Sequence, residues 1–188
     1  IDLVRIALNY EDVGLLPKIL NQLNSMGYDV AINLMKATLF SPGQIIKLFD
    51  KIDLKKIKYF YIADSYGNCR MNFLKALCKS IKKSKYEFSN IGFHAHDNLK
   101  LAKKNALFLK NQNIGMIDTS VFGMGRGAGN LKLEDFIQEK KKNNAQKKMI
   151  FNFIQKNFLS LKNEYKWGPN KYYKYAAENF IHPTYVQR

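Results

Sequence analysis

The chain has 188 residues, of which 46% are hydrophobic, so it is long and apolar enough for one domain with a sizeable core. No run of about 18 apolar residues occurs, which excludes a transmembrane helix, and two cysteines exclude a disulfide framework and favour a reduced, cytoplasmic compartment. The net charge of +16 is spread over many segments, which indicates a solvated surface rather than a nucleic-acid patch and also favours anionic substrates.

Strand and helix patterns alternate along the first three quarters of the chain. Short apolar runs predict five strands, at residues 3–8, 28–35, 57–63, 88–93 and 114–121. Apolar residues at helical spacing predict a helix after each strand, at residues 9–24, from 41, 71–83, 99–109 and from 131. Ser41 is expected as the N-cap of the second helix, with Pro42 at its first position, and Cys78 as a small core residue of the third. This order is typical of parallel βα units, in either a doubly wound sheet or a (β/α)8 barrel. Both folds place their chemistry at the carboxyl ends of the strands.

The pattern changes in the last quarter of the chain. Residues 140–148 are polar and rich in lysine, which indicates a solvated helix end or a linker. Residues 150–161 carry apolar side chains at helical spacing and predict a helix that needs a partner surface. Residues 171–180 predict a last helix. We therefore divide the chain into a barrel segment, residues 1–139, and a helical tail, residues 140–188.

Two histidines mark the end of the fourth predicted strand. Side chains two positions apart on a strand point to the same face, so His94 and His96 are expected side by side. Two neighbouring imidazoles form half of a divalent-metal site. A chance pair of packed or surface histidines is the competing interpretation. Asp97 and Asn98 are expected to cap a helix that starts at Leu99.

A glycine-rich loop follows the fifth predicted strand. Residues 123–128 match the dinucleotide fingerprint G-x-G-x-x-A, but a lysine-rich helix stands where the fingerprint needs an acidic strand end. A tight turn that closes the last βα unit is a second interpretation. We favour a loop that lies near an anion or a metal at the helix N-terminus.

Three motifs are more specific together than any one alone: residues 92–98 (GFHAHDN), residues 117–120 (IDTS) and residues 123–130 (GMGRGAGN), followed by Glu134. This set resembles the metal-dependent lyase and aldolase family of (β/α)8 barrels that includes hydroxymethylglutaryl-CoA lyase and isopropylmalate synthase. Within that family, the likeness is closest to the 4-hydroxy-2-oxovalerate aldolase branch. The likeness to that branch rests further on residues 4–13, 61–65, 165–168 and 182–183.

The resemblance implies an α/β fold, the carboxyl-terminal part of a (β/α)8 TIM barrel with a helical extension. It also implies a divalent ion, Mn²⁺ or Mg²⁺, that acts as a Lewis acid while a carbon–carbon bond of a 4-hydroxy-2-oxo acid is cleaved or formed. His94 and His96 match the family's paired metal ligands, and Asn130 matches an asparagine at or near the metal. Ser65 matches a residue near the 2-oxo acid. Lys36, at the end of the second predicted strand, is expected to line the same pocket, with a solvent-facing lysine as the alternative.

The chain also departs from the family pattern. The family's first-strand Arg–Asp pair and its nearby His base have no counterpart, because the chain corresponds to the family from about the fourth strand onward. We expect the missing units upstream or in a partner chain. Two histidines and one amide hold a hard ion poorly without a carboxylate. Pro169 stands where the aldolases use a tyrosine as an acid.

Other functions remain open at this stage. One is an acyl-CoA-using synthase or lyase of the same family. Another is a barrel remnant that has lost its chemistry and serves in assembly. A nucleic-acid binder is the least favoured. The resemblance further implies a homo-oligomer, or an aldehyde dehydrogenase that docks on the helical tail.

Overall fold

The computed structural model describes residues 1–138 and 144–186. Its strands are β1 (Leu3–Leu8), β2 (Asp29–Leu34), β3 (Tyr59–Asp64), β4 (Ile91–Ala95) and β5 (Met116–Ile117). The helices that accompany the strands are α1 (Leu16–Ser25), α2 (Pro42–Lys51), α3 (Met71–Lys82), α4 (Ala102–Lys110) and α5 (Leu133–Gln138). The tail forms α6 (Asn144–Tyr165) and α7 (Lys171–Glu178). No helix in the described ranges is long and apolar enough to cross a membrane.

The five strands form one parallel sheet in the order β1-β2-β3-β4-β5. A doubly wound sheet reverses its strand order at a switch point, whereas a barrel adds each new strand beside the previous one. The sequential order is therefore that of a barrel wall. Five strands are too few to close an eight-stranded barrel, so the prediction of a partial (β/α)8 barrel is confirmed.

One face of the sheet packs against the helices and forms the core. The strands contribute Ile32, Leu34, Phe60, Ile62 and Phe93, and the helices cover them with a second layer of leucines, isoleucines and Phe49. Each of these five strand side chains is at most 2% exposed. Burying one such side chain contributes about 1.5–3 kcal/mol. By packing against this face, the helices hold the strands in place and so fix the position of the strand ends.

Two local predictions are confirmed. Ser41 is the N-cap of α2: its Oγ accepts a hydrogen bond from the N–H of Gln44 at 3.3 Å, and Gln44 Oε1 accepts one from the N–H of Ser41 at 2.8 Å. Pro42 occupies the first helical position, where its missing N–H costs nothing. Cys78 is buried in the core, as expected of a small apolar residue.

Several predicted boundaries were wrong. The helix predicted at residues 9–24 begins as a 3-10 helix, Tyr10–Leu15, and becomes α-helical where Pro17 fits the first turn of α1. The strand predicted at residues 114–121 is paired only over Met116–Ile117, because the chain then bends into the glycine-rich loop.

The helix expected from Leu99 begins at Ala102 instead. Asp97 still satisfies its first turn, since Asp97 Oδ1 accepts from the N–H of Ala102 at 3.0 Å. Asn98 does not cap this helix: its Nδ2 donates to the carbonyl of Tyr173 in α7, at 3.4 Å.

The long tail helix is only partly covered. Of its described side chains Ile154 is buried, whereas Met149, Phe153, Leu159 and Leu161 are exposed. The partner surface that the sequence predicts for this helix therefore covers Ile154 and leaves Leu161 exposed. Residues 139–143, which include the start of the predicted polar run and the proposed domain boundary, lie outside the described residues.

Candidate active site

The two histidines lie at the carboxyl end of β4, on the face of the sheet that turns away from the helices. Their ring centroids are 4.9 Å apart and the rings are nearly perpendicular. His96 is buried, and the side chain of His94 is 23% exposed. The strand alternation thus places both imidazoles side by side, as the spacing predicts.

A hydrogen bond to a carboxylate orients His94. Its Nδ1 lies 2.8 Å from Asp118 Oδ2, and because a carboxylate only accepts, Nδ1 carries the hydrogen. Asp118 in turn forms a two-point ion pair with Arg5 of β1, whose guanidinium lies 3.8 Å from the ring centroid of Tyr61. Burial alone raises the pKa of Asp118, but the hydrogen bonds from His94 and Arg5 outweigh it and lower that pKa. The Nε2 atom of His94 is left available as a ligand.

A backbone carbonyl orients His96 in the same way. Its Nδ1 donates to the carbonyl of Asp64 at 2.9 Å, which leaves Nε2 with a free lone pair. Burial, followed by the neighbouring His94, lowers the pKa of His96 to about 4. His96 is therefore neutral at pH 7, the form in which imidazole binds metals.

The third donor is Asn130, which follows the glycine-rich loop and pairs with His96 in an isolated antiparallel bridge. Its Nδ2 donates to the carbonyl of Met124 at 3.0 Å. Its Oδ1 is shielded from solvent and has no hydrogen-bond partner in the described part of the chain. An orphaned buried amide oxygen costs about 1–3 kcal/mol. A cation at this oxygen would remove that cost, so the orphaned atom fits a metal ligand.

These donors fit part of a metal shell. Two imidazoles and one amide oxygen suit a divalent ion. Among residues 1–138 and 144–186, however, no group of three or more His, Cys, Asp or Glu side chains is arranged to hold one. A hard ion such as Mg²⁺ prefers carboxylate oxygen, so a complete shell needs an acidic ligand in addition to these three donors.

The glycine-rich loop is held in one conformation that presents Asn130. Buried Glu134 accepts from the N–H of Phe122 at 3.1 Å, although Phe122 itself lies in the left-handed region at φ 50°. A Cβ atom at Gly125 would lie 2.5 Å from Asn130 Nδ2, so a larger residue would displace the asparagine. The structure thus shows why glycine stands beside the proposed ligand.

Ser65 and Lys36 meet at the ends of β3 and β2. Ser65 is 2% exposed, and its Oγ accepts from the backbone N–H of Lys36 at 2.8 Å. Lys36 has φ 55° and ψ 34°, a left-handed conformation that non-glycine residues rarely adopt. Its side chain lines a groove at the mouth of the barrel, together with Tyr66 and His182.

Asp64, the last residue of β3, stabilises the turn that follows this strand. It is 1% exposed, and its carboxylate accepts from the N–H groups of Asn68 at 2.9 Å and Cys69 at 3.1 Å. Burial outweighs these hydrogen bonds and raises the pKa of Asp64 to about 7. Its carbonyl, which holds His96, ties this acid to the histidine pair.

Sequence reasoning missed the supporting roles of Arg5 and Asp64 and the position of His182. Arg5 had a signal, because a charged residue inside a nearly continuous apolar strand needs a partner of opposite charge. The partner, Asp118, is 113 positions away, and no sequence pattern indicates that pairing.

The fold is that of a partial (β/α)8 barrel, with a histidine pair at the carboxyl end of its fourth strand. The HMGL-like family model matches residues 11–156, so the chain belongs to the HMGL-like family. The family resemblance inferred from the motifs is thereby confirmed.

Two of the curated relatives differ in the reaction that their names state. The chain is 25% identical over 134 residues to oxaloacetate decarboxylase of Mycobacterium tuberculosis, a match that covers 71% of this chain and 39% of that protein. It is 25% identical over 137 residues to 4-hydroxy-2-oxovalerate aldolase 4 of Paraburkholderia xenovorans, covering 73% of this chain and 40% of that protein. The chain thus spans about two fifths of the length of the curated relatives it matches.

Solved structures agree on the fold. The N-terminal domain of a candidate aldolase from Bacteroides vulgatus superposes with a TM-score of 0.85 at 27% identity, covering 99% of this chain and 62% of that one. The HMG-CoA lyase of Bacillus subtilis superposes with a TM-score of 0.73 at 14% identity, covering 95% and 68%. At that lower identity the likeness is one of fold.

Proposed function

We propose that the protein containing this chain is a metal-dependent aldolase or lyase that acts on a 4-hydroxy-2-oxo acid and releases or consumes pyruvate and an aldehyde. The observation that carries this proposal is the ligand set at the end of β4. Two imidazoles have Nδ1 engaged and Nε2 free, and Asn130, whose Oδ1 has no partner in the described chain, pairs with His96 in a backbone bridge. The 4-hydroxy-2-oxovalerate aldolases among the relatives support the substrate class.

In this proposal His94 and His96 bind Mn²⁺ or Mg²⁺ through Nε2, and Asn130 binds it through Oδ1. Once bound, the ion polarises the 2-oxo group so that the electrons of the broken carbon–carbon bond are stabilised as an enolate. Arg5 and Asp118 hold His94 in its ligating orientation. Ser65, whose oxygen already accepts from Lys36, keeps its own hydrogen available to donate to a substrate oxygen.

A second candidate is decarboxylation of a 2-oxo acid. The oxaloacetate decarboxylase relative matches the chain at the same identity as the aldolases. Loss of CO₂ from oxaloacetate and loss of an aldehyde from a 4-hydroxy-2-oxo acid leave the same pyruvate enolate. The residues of the site serve both reactions equally, so the choice depends on the groove that takes the rest of the substrate.

A third candidate is a non-catalytic assembly module. It is favoured by the missing acidic ligand among the described residues and by the exposed apolar side chains of α6, including Phe153 and Leu159. A second copy of the chain or an aldehyde dehydrogenase is the partner that the family resemblance suggests for this helix.

The test measures pyruvate release by the full-length protein with Mn²⁺, using a lactate dehydrogenase assay on 4-hydroxy-2-oxovalerate and on oxaloacetate. Release from the first substrate supports the aldolase, and release from oxaloacetate alone supports the decarboxylase. We expect the double variant His94→Ala/His96→Ala to lose at least about a hundredfold in kcat/KM and to lose Mn²⁺ binding by calorimetry. If the unaltered protein shows neither turnover nor Mn²⁺ binding, the result favours the non-catalytic assembly module.

A further inference from the structure

The tail packs over the mouth of the partial barrel. Trp167 Nε1 donates to the carbonyl of Phe122 in the glycine-rich loop at 3.1 Å. A Cβ atom at Gly127 would lie 2.9 Å from the ring of Pro183, so this loop and the end of the tail are in close contact. The strand ends and the tail therefore form the two sides of one cleft.

The cleft contains a groove of about 670 Å³. Lys36 and Tyr66 line it from the barrel, and Phe180, His182 and Tyr185 line it from the tail. The ring of Tyr66 meets those of Phe180 and His182 edge-on, with centroids 6.2 and 6.1 Å apart. The walls of the groove are thus aromatic rings, and its polar atoms are the ammonium, hydroxyl and imidazole nitrogen atoms of the same lining side chains.

The polar groups of the groove are positively charged or donate hydrogen bonds. His182 Nδ1 accepts from the N–H of Thr184 at 3.4 Å, so Nε2 carries the hydrogen of the neutral ring. Burial, then the positive charges of Arg126 and Lys36, lower the pKa of His182 and keep it neutral. Neither Lys36 nor Arg126 forms an ion pair with an acidic side chain of the described residues. Lys36 therefore lines the groove with a positive charge and His182 lines it with an N–H donor. Arg126 is the neighbour of Gly127, which lies against Pro183 of the tail.

The groove is also near the candidate metal ligands. The carbonyl of Asp64 accepts from His96, and Tyr66, two residues further along the chain, lines the groove. Ser65, at the end of β3, fixes the unusual backbone conformation that carries Lys36 into the groove. A molecule that reaches the histidine pair can extend into this groove.

We propose that the groove binds an anionic group, a carboxylate or a phosphate, at the end of the substrate remote from the 2-oxo acid. Lys36 in the groove and Arg126 beside the tail supply the charge, His182 donates a hydrogen bond, and the aromatic walls contact the carbon chain between the two ends. This inference rests on the proposed function and adds the class of aldehyde: one that carries a second negative charge. A neutral aldehyde leaves both cations without a partner.

The first test is calorimetric binding of two probes, succinate and inorganic phosphate, to the full-length protein in the presence of Mn²⁺. We expect at least one anion to bind, and the variant Lys36→Gln/Arg126→Gln to bind it about tenfold or more weakly, because charge-assisted hydrogen bonds are lost. The variant Lys36→Arg/Arg126→Lys keeps a positive charge at both positions and should bind within about threefold of the unaltered protein, because the attraction to the anion is retained. Lys75→Gln, which removes an exposed charge from α3, is the matched control and should bind normally.

Tighter binding of succinate indicates a carboxylate and tighter binding of phosphate indicates a phosphate. The proposal is overturned if neither anion binds, or if the Gln variant binds as tightly as the Lys75→Gln control.

The second test compares the cleavage of two substrates, 4-hydroxy-2-oxovalerate and 4-hydroxy-2-oxoheptanedioate, which ends in a second carboxylate. We expect kcat/KM to favour the second substrate and this ratio to fall about tenfold in Lys36→Gln/Arg126→Gln. If the variant is active and this ratio is unchanged, anion binding by the groove is contradicted, whereas the aldolase proposal is not. Loss of anion binding in the Gln variant of a protein that cleaves neither substrate supports the groove and contradicts the aldolase.

Discussion

The two faces of the sheet differ in chemistry. The helix-covered face buries Ile32, Phe60 and Phe93 in a dry core, and its contacts are apolar. The opposite face carries Arg5 and Tyr61 and leads, at the strand ends, to His94 and Asp118. This inner face also contains a buried oxygen, the hydroxyl of Tyr61, without a partner in the described chain. The comparison shows that stability comes chiefly from one face, while the other keeps polar groups available for chemistry.

The largest expected effect comes from a substitution in the helix-covered core that leaves the inner face unchanged. Leu74 of α3 is fully buried against the strands. We expect Leu74→Ala to lower the free energy of unfolding by about 2–5 kcal/mol, because it leaves a cavity. Urea denaturation measures this loss. At a temperature where the variant is folded its Mn²⁺ affinity should equal that of the unaltered protein, and a large drop would show that the faces are coupled.

The next effect concerns the inner face. Asp118→Asn removes the charge that orients His94 and pairs with Arg5. We expect Mn²⁺ affinity to fall by about 10–100-fold, the usual cost of losing such a supporting partner. Calorimetry measures the affinity.

The matched control is Asp29→Asn, which removes an exposed carboxylate paired with Lys58. It should bind Mn²⁺ normally. Equal loss in both variants would indicate a general effect of charge rather than the orientation of His94.

A smaller effect concerns pH. The pKa of Asp64 is raised to about 7, so the native state binds its proton more readily and stability falls as pH rises from about 4 to 7. The pKa of His96 is lowered to about 4, so the unfolded state binds that proton more readily and stability rises over about pH 4 to 6.5. The two contributions oppose each other in the same range.

His96→Asn removes one of these opposing contributions and keeps a donor for the Asp64 carbonyl. We expect its free energy of unfolding to fall more steeply between pH 4 and pH 7 than that of the unaltered protein. Urea unfolding at several pH values measures the slope. Parallel pH curves for the two proteins would contradict a buried, neutral His96.

The smallest effect concerns the tail helix. Phe153 is 59% exposed, so Phe153→Ser should change stability by less than about 0.5 kcal/mol, whereas Ile154→Ser should be strongly destabilising. Thermal unfolding compares the two. A large loss for Phe153→Ser would mean that this side of α6 is covered in the assembled protein.

The sequence by itself determined the features that depend on neighbours along the chain. The two-residue period of a strand placed His94 and His96 on one face, and Ser41 with Pro42 marked the start of α2. Alternating strand and helix patterns gave the parallel βα units, and the quoted motifs gave the family.

Only the tertiary structure decided which distant residues meet. Arg5 pairs with Asp118, and Lys36 shares a groove with His182, across more than a hundred positions in each case. The same applies to the end of α6, where periodicity indicated an apolar side but did not show that Leu161 would be exposed. The physical reason is that local patterns fix backbone conformation and facing direction, whereas long-range contacts depend on how strands and helices pack against one another.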